Sequence, residues 1–159
     1  IQICQQGHEI QGLGEQAVCV EQMTAKACRK ELQKIRETIG TVTEEPAVFF
    51  RIPGGEYNNE VLRTIYACGS YPVAWSVDSM DWKEYEAGEL VRQLLQSCTI
   101  RDGEILRFHG EGENTGEMVK LLHPRLKEEG YEAVTVSQMV YKDRYRMTTD
   151  GRQIPEKSK

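Results

Sequence analysis

The chain has 159 residues, a formal net charge of -5, 39% hydrophobic residues and 28% charged residues. This length and composition fit one globular domain, and the acidic balance argues against nucleic-acid binding, which needs a basic face. No apolar run approaches the roughly 18 residues of a membrane span. The first residues, Ile-Gln-Ile-Cys, are neither a signal peptide nor an initiator methionine. We therefore expect the chain to begin inside a longer protein.

Apolar and amphipathic stretches alternate in the first third of the chain. A strand is possible over residues 7–11, and apolar residues at spacings of three and four predict a helix over residues 16–39. Gly40 is expected to end this helix, because glycine readily adopts the left-handed conformation that closes helices. The apolar and aromatic run 47–52 predicts a strand that leads into a Pro-Gly-Gly turn.

The same alternation continues through the middle of the chain. An asparagine at position 58 or 59 is expected to cap a helix that runs to Cys68 and is closed by Gly69. Residues 71–77 predict the next strand. Residues 86–97 predict a helix, because their apolar side chains recur on one helical face.

The last elements are predicted in the same way. Residues 104–109 predict a strand, and Asn114, with a glutamate three residues later, resembles a capping box for a helix that ends at Glu129. A last strand is expected over residues 131–136, followed by a short helix that Ser137 could cap.

Strands that alternate with helices predict parallel βαβ units and therefore an α/β fold. Residues 1–140 are expected to form the domain, and residues 141–159 a polar C-terminal surface tail. Four clear strands are too few to close an ordinary barrel. Either the sheet is open, or strands that precede the chain are missing.

Arg51, Asp81, Trp82 and His109 are the residues that could carry chemistry. Each lies at or just beyond the C-terminal end of a predicted strand, and parallel strands place those ends on one edge of the sheet. A carboxylate beside a histidine orients the ring and favours its protonated form, which suits a general acid. Each residue alone is more often structural, so the prediction depends on their joint placement.

Three segments resemble, in this order, the last three motifs of the polysaccharide deacetylases, which are also known as NodB-homology or carbohydrate esterase family 4 proteins. They are FFRIPGGEYNN (49–59), VAWSVDSMDWK (73–83) and ILRFHGEGENT (105–115), and the resemblance covers about residues 7–140. It implies parallel (β/α) units of a distorted or incomplete (β/α) barrel. By this resemblance the chain is the C-terminal portion of the family's domain, and the N-terminal strands are absent.

The resemblance assigns catalytic roles to three residues. The family's R-x-P arginine, which orients the catalytic base, corresponds to Arg51. The aspartate of the D-W segment, which tunes the acid histidine, corresponds to Asp81, and the L-x-H histidine, which donates a proton to the leaving amine, corresponds to His109. Arg107 occupies the usual leucine position, and a charged group there could reshape or close the acetyl pocket.

The same resemblance assigns Trp82, Pro53, Gly54 and Gly55 to the substrate-binding groove. The tryptophan would form a wall of the pocket. Gly54 stands where an aromatic residue is usual, but a backbone N–H there would remain available to an oxyanion.

The metal half of the family's site does not match. Family members bind zinc or a similar divalent ion with one aspartate and two histidines spaced H-x-x-x-H, after a G-H-E-I sequence. Aligned on GHEI at residues 7–10, the two ligand positions fall on Leu13 and Ala17, and neither side chain can bind a metal. The motif with the aspartate would precede Ile1. We therefore expect no metal ligands in this chain and little or no deacetylase activity, because the metal activates the water.

The resemblance implies a protein that hydrolyses, or descends from proteins that hydrolyse, N-acetyl groups of cell-envelope carbohydrate such as N-acetylglucosamine polymers. Either the complete protein is an enzyme and the chain lacks the strands of the first motif, or it is a pseudoenzyme that binds glycan or a partner without hydrolysis. Leu13 and Ala17 favour the second alternative. The implied partner is an N-acetylated carbohydrate or peptidoglycan-like glycan, and the implied location is extracellular or in the cell envelope.

A different class of function rests on GLGEQA (12–17), which matches the pattern G-x-G-x-x-A before a predicted helix. A glycine loop at a helix N-terminus can hold phosphate, so a doubly wound nucleotide- or phosphate-binding domain is a further alternative. The preceding strand contains Glu9 and Gln11, and no clear ribose-binding acid follows. The glycines are more simply interpreted as a loop in place of the metal-ligand motif.

Overall fold

The computed structural model describes residues 2–14, 24–55, 57–110 and 112–156. The helices are α1 (Gln2–Gln5), α2 (Ala25–Thr43), α3 (Asn59–Ala67), α4 (Ala87–Ser97), α5 (Thr115–Glu128) and α6 (Val136–Met139). The strands are β1 (Gly12–Leu13), β2 (Phe49–Arg51), β3 (Tyr71–Val73), β4 (Val77–Asp78), β5 (Leu106–Arg107), β6 (Tyr145–Met147) and β7 (Gln153–Pro155). Within these ranges, no helix has the length and apolar character that crossing a bilayer requires.

Parallel strands that alternate with helices make this an α/β protein, as the sequence predicts. β1, β2 and β3 form one parallel sheet in that order, and Leu13, Arg51 and Val73 lie in one row across it. β4 and β5 form a second parallel pair, in which Asp78 lies beside Arg107. Among the described residues these strands do not close into a barrel. The prediction of an incomplete (β/α) barrel unit is therefore confirmed.

Helix α2 begins and ends later than its predicted counterpart. Thr24 caps its first turn with its side chain, and the helix continues through Gly40. The prediction that Gly40 ends the helix is therefore wrong. The left-handed closing residue is Glu44, with a φ of 64°, and its amide donates to the Gly40 carbonyl. Residues 16–23 of the predicted helix lie outside the described residues.

The middle of the chain follows the prediction except at one strand. Asn58 caps α3 through its side chain, and Gly69 follows the helix with a φ of 69°. The predicted strand over residues 71–77 is divided into β3 and β4. The chain leaves the first sheet after Val73 and joins the second sheet at Val77, so the interruption lets one segment serve both sheets.

The helix caps near the C-terminus differ from the prediction. Asn114 precedes α5, but its side-chain amide donates to the Tyr85 carbonyl (3.0 Å) and makes no capping bond. The predicted capping box is therefore absent at α5. A capping box forms instead at α6, where Thr135 and Gln138 bond each other, so the predicted role of Ser137 as the cap is wrong.

The C-terminal region differs from the prediction in two places. The strand predicted over residues 131–136 does not form. The segment after residue 140, predicted to be a polar surface tail, contains the antiparallel hairpin of β6 and β7. Arg152 ties this hairpin to the α/β body through an ion pair with Glu104 at 2.9 Å. Residues 157–159 lie outside the described residues.

The core consists of two clusters of buried apolar side chains. The first joins α2 and α3 to the first sheet and contains Cys28, Leu32, Phe50, Ile52, Val61 and Ile65. The second joins α4 and α5 to the second sheet and contains Val77, Ala87, Leu90, Val91, Leu94, Met118 and Leu122. Each sheet is therefore anchored by its own pair of helices, and the residues that follow the strands are held in place by this packing.

Two adjacent residues of α5 test the second cluster. Met118 is 0% exposed and Val119 is 42% exposed. We expect Met118→Ala to lower the free energy of unfolding by about 2–4 kcal/mol, because it removes buried apolar surface and leaves a cavity. Val119→Ala is expected to change it by less than about 1 kcal/mol. Urea denaturation followed by tryptophan fluorescence measures both, and equal losses would contradict the packing described.

Candidate functional site

Asp81 lies at the centre of the polar site, in the loop after β4, and is only 1% exposed. Its carboxylate accepts hydrogen bonds from the backbone amides of His109 (2.9 and 3.1 Å) and Gly110 (3.2 Å). The hydroxyl groups of Ser79 (2.8 Å) and Thr115 (2.6 Å) also donate to it. A buried charge is tolerated only when such donors replace the lost water.

The hydrogen bonds to Asp81 decide its charge. Burial raises the pKa of Asp81, because desolvation disfavours the charged carboxylate. The hydrogen bonds from Thr115, from the backbone amide and ring of His109, and from Ser79 favour the charged form and outweigh burial. The pKa of Asp81 therefore lies well below its ordinary value. Asp81 is ionised at neutral pH and can only accept hydrogen bonds.

His109 lies against Asp81, so the structure brings together the two residues that the sequence places on one edge. Nδ1 of the ring is 2.7 Å from Oδ1 of Asp81. Because an ionised carboxylate only accepts, Nδ1 must carry the proton of this hydrogen bond. Nε2 is then the nitrogen that can take up or release a proton. It lies 3.7 Å from Oδ2 of Asp78, which is too long for a hydrogen bond.

The loop after β4 turns Asp81 inward and Trp82 outward. Asp78 accepts a hydrogen bond from the Met80 amide (3.0 Å), and Met80 has a left-handed φ of 53°. A side chain that bonds the backbone two residues later is a common way to stabilise such a turn. Trp82 is 54% exposed, and the Lys83 ammonium lies 5.8 Å from its ring centre. The predicted groove tryptophan is therefore open to solvent.

The segment before α5 closes over the Asp81 loop. A Cβ atom on Gly112 would overlap the carbonyl oxygen of Asp81 and would lie 2.9 Å from its carbonyl carbon. Only glycine fits this approach, because any side chain would push the two segments apart. The close contact brings Thr115, the first residue of α5, within hydrogen-bonding distance of the Asp81 carboxylate.

Arg51 lies beside Trp75, and among the described residues it makes no hydrogen bond or ion pair with His109. Its guanidinium carbon is 5.9 Å from the centre of the Trp75 ring, and that of Arg107 is 4.0 Å from the same ring. Nη1 of Arg107 is 3.5 Å from Oδ2 of Asp78. Burial and the positive charge of Arg107 lower the pKa of Arg51, and Asp78 acts in the opposite direction. Among the described residues, Arg107 and Asp78 lie between Arg51 and His109.

The turn Pro53–Gly55 reaches the same tryptophan. Pro53 is buried, whereas Gly54 is exposed with a φ of 69°. A Cβ atom on Gly55 would lie 2.9 Å from the Trp75 ring. The three residues assigned to the groove therefore form a tight turn whose last residue packs on Trp75.

Two hollows border the sheets. The smaller, of about 340 Å³, is lined by Leu13, Arg51, Trp75 and Arg107 among others. The larger, of about 570 Å³, is lined mainly by aromatic residues and by the C-terminal hairpin. Of the described residues, His109 and Asp81 line neither hollow. The arginine, aspartate and histidine were expected to lie together, but the structure divides them between two adjoining parts. Asp81 and His109 form a pair, and Arg51 lines the hollow beside Trp75.

Comparisons with known proteins find similar sequences and folds. The sequence matches the polysaccharide deacetylase family over residues 1–73. It is 28% identical over 138 residues to the peptidoglycan-N-acetylglucosamine deacetylase PgdA of Listeria monocytogenes, a match that covers 85% of this chain and 28% of the relative. The chain is similar to the polysaccharide deacetylases.

Two further comparisons give the share of each relative's length that the chain covers. It is 26% identical over 144 residues to a peptidoglycan-N-acetylglucosamine deacetylase of Bacillus cereus, covering 87% of this chain and 66% of the relative. A solved CE4 family pseudoenzyme of Bacillus anthracis matches with a TM-score of 0.78 at 23% identity, covering 87% of this chain and 48% of that protein. This likeness shows the shared fold. The chain spans less than two-thirds of these relatives.

The deacetylase relatives share a fold with the chain, but the described residues do not fit a metal site. Leu13, at the first expected ligand position, is 43% exposed and has no atom that can coordinate an ion. Ala17, at the second, lies outside the described residues. In the part of the chain that the structure describes, no three His, Cys, Asp or Glu residues are grouped to hold a metal ion.

The glycines of GLGEQA have a packing role in this chain. A Cβ atom on Gly12 would lie 2.9 Å from the side chain of Ile35, and one on Gly14 would lie 2.9 Å from Phe50 and 3.0 Å from Pro53. Close approach between elements is a common reason for glycine in such positions. The G-x-G pattern is accounted for by this packing, without a phosphate ligand.

Three residues of the site were not singled out from the sequence. Trp75 lies between the two arginines, Asp78 lies near both Arg107 and His109, and Thr115 donates to Asp81. Trp75 continues the two-residue alternation of β3, so a same-face pattern could have indicated it. Thr115 carried no such signal, because its contact with Asp81 joins segments far apart in sequence.

Asp81→Asn tests the hydrogen-bonded pair. We expect it to lower the free energy of unfolding at neutral pH by about 2–3 kcal/mol, because an amide cannot accept all the donors that converge on the buried carboxylate. Asp143→Asn changes an exposed aspartate and is expected to have little effect. Urea denaturation measures both. A loss that is the same in the two variants would contradict the described network.

The lowered pKa of Asp81 also predicts a pH dependence. Its folded pKa lies below the unfolded value of about 3.9, so its contribution to stability is complete above that value and is lost as the pH falls through the folded pKa. Below about pH 4, the wild type should therefore lose more stability than Asp81→Asn. Urea denaturation over a series of acidic pH values measures this. Parallel curves would show that Asp81 is not the group responsible.

Gly112 and Gly116 form a matched pair for testing the contact between the α5 turn and the Asp81 loop. Gly112→Ala is expected to destabilise the protein by about 2 kcal/mol or more, because the methyl group meets the backbone of Asp81. Gly116 lies in α5, and a methyl group added there would meet nothing within 4 Å, so Gly116→Ala is expected to stabilise by up to about 1 kcal/mol. Thermal unfolding distinguishes these opposite signs.

Proposed function

We propose that this chain forms the acid side of a deacetylase-like site that binds N-acetylated cell-envelope glycan, such as N-acetylglucosamine polymers, without hydrolysing it. The observation that supports this most directly is a contrast within the site. Asp81 and His109 make a short hydrogen bond, and Thr115 also donates to Asp81. By contrast, Leu13, which pairs with Arg51 in the sheet, stands where a metal ligand is expected.

In this proposal His109, Asp81 and Arg51 are the residues that correspond to the family's catalytic set, and they act in binding and not in turnover. Asp81 holds the proton on Nδ1 of His109, and Nε2 presents a proton to the nitrogen of a bound amide. Arg51 lies at the end of β2 and lines the hollow beside Trp75. The pair alone supplies orientation and proton transfer.

Hydrolysis requires more than an acid. The divalent ion that the family generally uses would activate a water and polarise the amide carbonyl. Among the described residues, no three His, Cys, Asp or Glu side chains are grouped to hold it. Proton donation to a leaving group contributes little when nothing has attacked the carbonyl, which is why binding without turnover is the function proposed for this chain.

The groove residues supply the sugar contacts in the proposal. The exposed ring of Trp82 offers a flat apolar face of the kind on which sugar rings pack. The turn Pro53–Gly55 supplies backbone at the other side, and the free N–H of an exposed glycine such as Gly54 can bond a carbonyl oxygen.

A second candidate function is that the complete protein is an active deacetylase of cell-envelope glycan. The supporting observation is that the chain spans only 28% of the Listeria relative and 66% of the Bacillus cereus relative. Residues outside this chain would then provide the ligands. Both candidates place the protein at the cell envelope or outside the cell, where such glycans occur.

Acetate release separates the two candidates. We expect the full-length protein, mixed with N-acetylglucosamine oligomers and zinc, to release acetate at the same rate as buffer and as its His109→Gln variant. A general acid typically contributes about 10²–10⁴-fold to a rate, so an active enzyme would lose most of its activity in His109→Gln. Zinc-dependent acetate release that this substitution abolishes would contradict the non-hydrolytic function.

Glycan binding tests the groove. We expect N-acetylglucosamine oligomers to bind the full chain in calorimetric titrations, and Trp82→Ala to weaken binding by about tenfold, because one stacked ring contributes about 1 kcal/mol or more. Tyr141 is similarly exposed but lies by the C-terminal hairpin, so Tyr141→Ala serves as the control. Equal effects of the two substitutions, or no binding to the wild type, would contradict the proposal.

A further inference from the structure

We infer that Arg107 is a positioning residue, which holds the carboxylate of Asp78 away from the ring of His109 and so leaves the Nε2 proton of the histidine free for a ligand. The inference rests on the proposed function, in which Nε2 presents a proton to a bound amide, and it adds the residues that keep this proton available. The observation behind it is the position of Oδ2 of Asp78. This oxygen is 3.5 Å from Nη1 of Arg107 and 3.7 Å from Nε2 of His109.

The register of one strand pair brings the three side chains together. Asp78 and Arg107 are direct partners in the parallel pairing of β4 with β5. His109 follows Arg107 by two residues, which is the spacing that places side chains on one face of a strand. The three side chains are between 17% and 22% exposed, so water screens their charges only in part.

One oxygen of Asp78 is already engaged. Oδ1 accepts a hydrogen bond from the Met80 amide at 3.0 Å, within the turn that follows β4. Oδ2 is therefore the oxygen that faces both Arg107 and His109. Its distance of 3.7 Å from Nε2 exceeds the usual hydrogen-bond range by about 0.5 Å. A small movement of the carboxylate would be enough to form a direct bond with the histidine.

Arg107 is held in place on its other side by Trp75. The guanidinium carbon lies 4.0 Å from the centre of the indole ring, and an aromatic face both attracts a guanidinium and restricts its orientation. Gly55 packs closely on the same ring, since a Cβ atom added there would lie 2.9 Å from it. Arg107 therefore attracts Asp78 from a fixed position.

The charges around His109 show why this position matters. Nδ1 of the ring is bonded to the ionised carboxylate of Asp81 at 2.7 Å. The described groups near the Nε2 side are Asp78 and, beyond it, Arg107 and Arg51, which interact with each other and with Asp78. A direct bond from Nε2 to Asp78 would place the ring between two carboxylates and stabilise its protonated form on both sides. The proton on Nε2 would then be bound within the protein and not offered to a ligand.

NMR titration of the histidine rings tests the inference in the full-length protein without glycan. We expect Arg107→Leu to move the midpoint of the His109 titration to higher pH by about 0.5–1 unit, because Asp78 then accepts a bond from Nε2. His109→Gln identifies the signal by its loss. Arg125→Leu removes an exposed arginine of α5 and should leave the midpoint unchanged.

A double variant separates positioning from simple charge repulsion. Asp78→Asn keeps an oxygen for the Met80 amide and is expected to move the midpoint to lower pH. When Arg107→Leu is added to Asp78→Asn, its effect on the midpoint should fall to less than about half of its effect in the wild type, because the two residues act as a unit. Equal effects in both backgrounds would mean that Arg107 acts through its own charge, which overturns the positioning role.

The remaining outcomes are equally decisive. Thermal unfolding verifies that each variant is folded, and Arg107→Met, which keeps a long side chain beside Trp75, replaces Arg107→Leu if the latter is not. A midpoint that stays within about 0.2 unit of the wild type, or moves to lower pH, overturns the inference and leaves glycan binding intact. The expected titration together with absence of glycan binding overturns the proposed function alone.

Discussion

The structure of the site depends on one buried carboxylate. Asp81 accepts hydrogen bonds from the β4 loop, from the end of β5 and from the first turn of α5, so it joins segments that are otherwise separate. The same bonds keep it ionised, and its charge in turn orients the ring of His109. Gly112 permits this convergence, because the chain before α5 must pass directly against the Asp81 backbone. The position of the histidine is therefore a consequence of how one charge is compensated.

The other part of the site is organised by an aromatic ring. Trp75 follows β3 and lies between Arg51 of the first sheet and Arg107 of the second sheet. Asp78 links this cluster to His109, since it lies 3.5 Å from Arg107 and 3.7 Å from Nε2 of the histidine. The Asp81–His109 pair provides an acid whose orientation is fixed by hydrogen bonds. The hollow beside it is lined by Arg51, Arg107 and Leu13, and Leu13 stands where a metal ligand is expected. The glycan-binding function that we propose rests on this combination.

Much of this organisation was predictable, and the errors have physical causes. The α/β class and the placement of Asp81 and His109 on one edge followed from alternating elements and from the direction of parallel strands. The end of α2 was misjudged, because a glycine inside a helix is tolerated when the next turns still bond, and Glu44 took the left-handed position. The capping box was assigned to Asn114, whose side chain found a long-range partner in Tyr85. Local patterns do not reveal such competing partners.

The sequence by itself determined the resemblance to the deacetylase family, the order of the motifs and the absence of ligating atoms at Leu13 and Ala17, because these are properties of residue type and spacing. The tertiary structure alone decided which groups meet. Thr115 reaches Asp81 across 34 positions of the chain, and Arg51 and Arg107 share Trp75 although they belong to different sheets. Such contacts depend on how strands and helices pack in three dimensions, and the pattern of residues along the chain does not predict which distant segments come together.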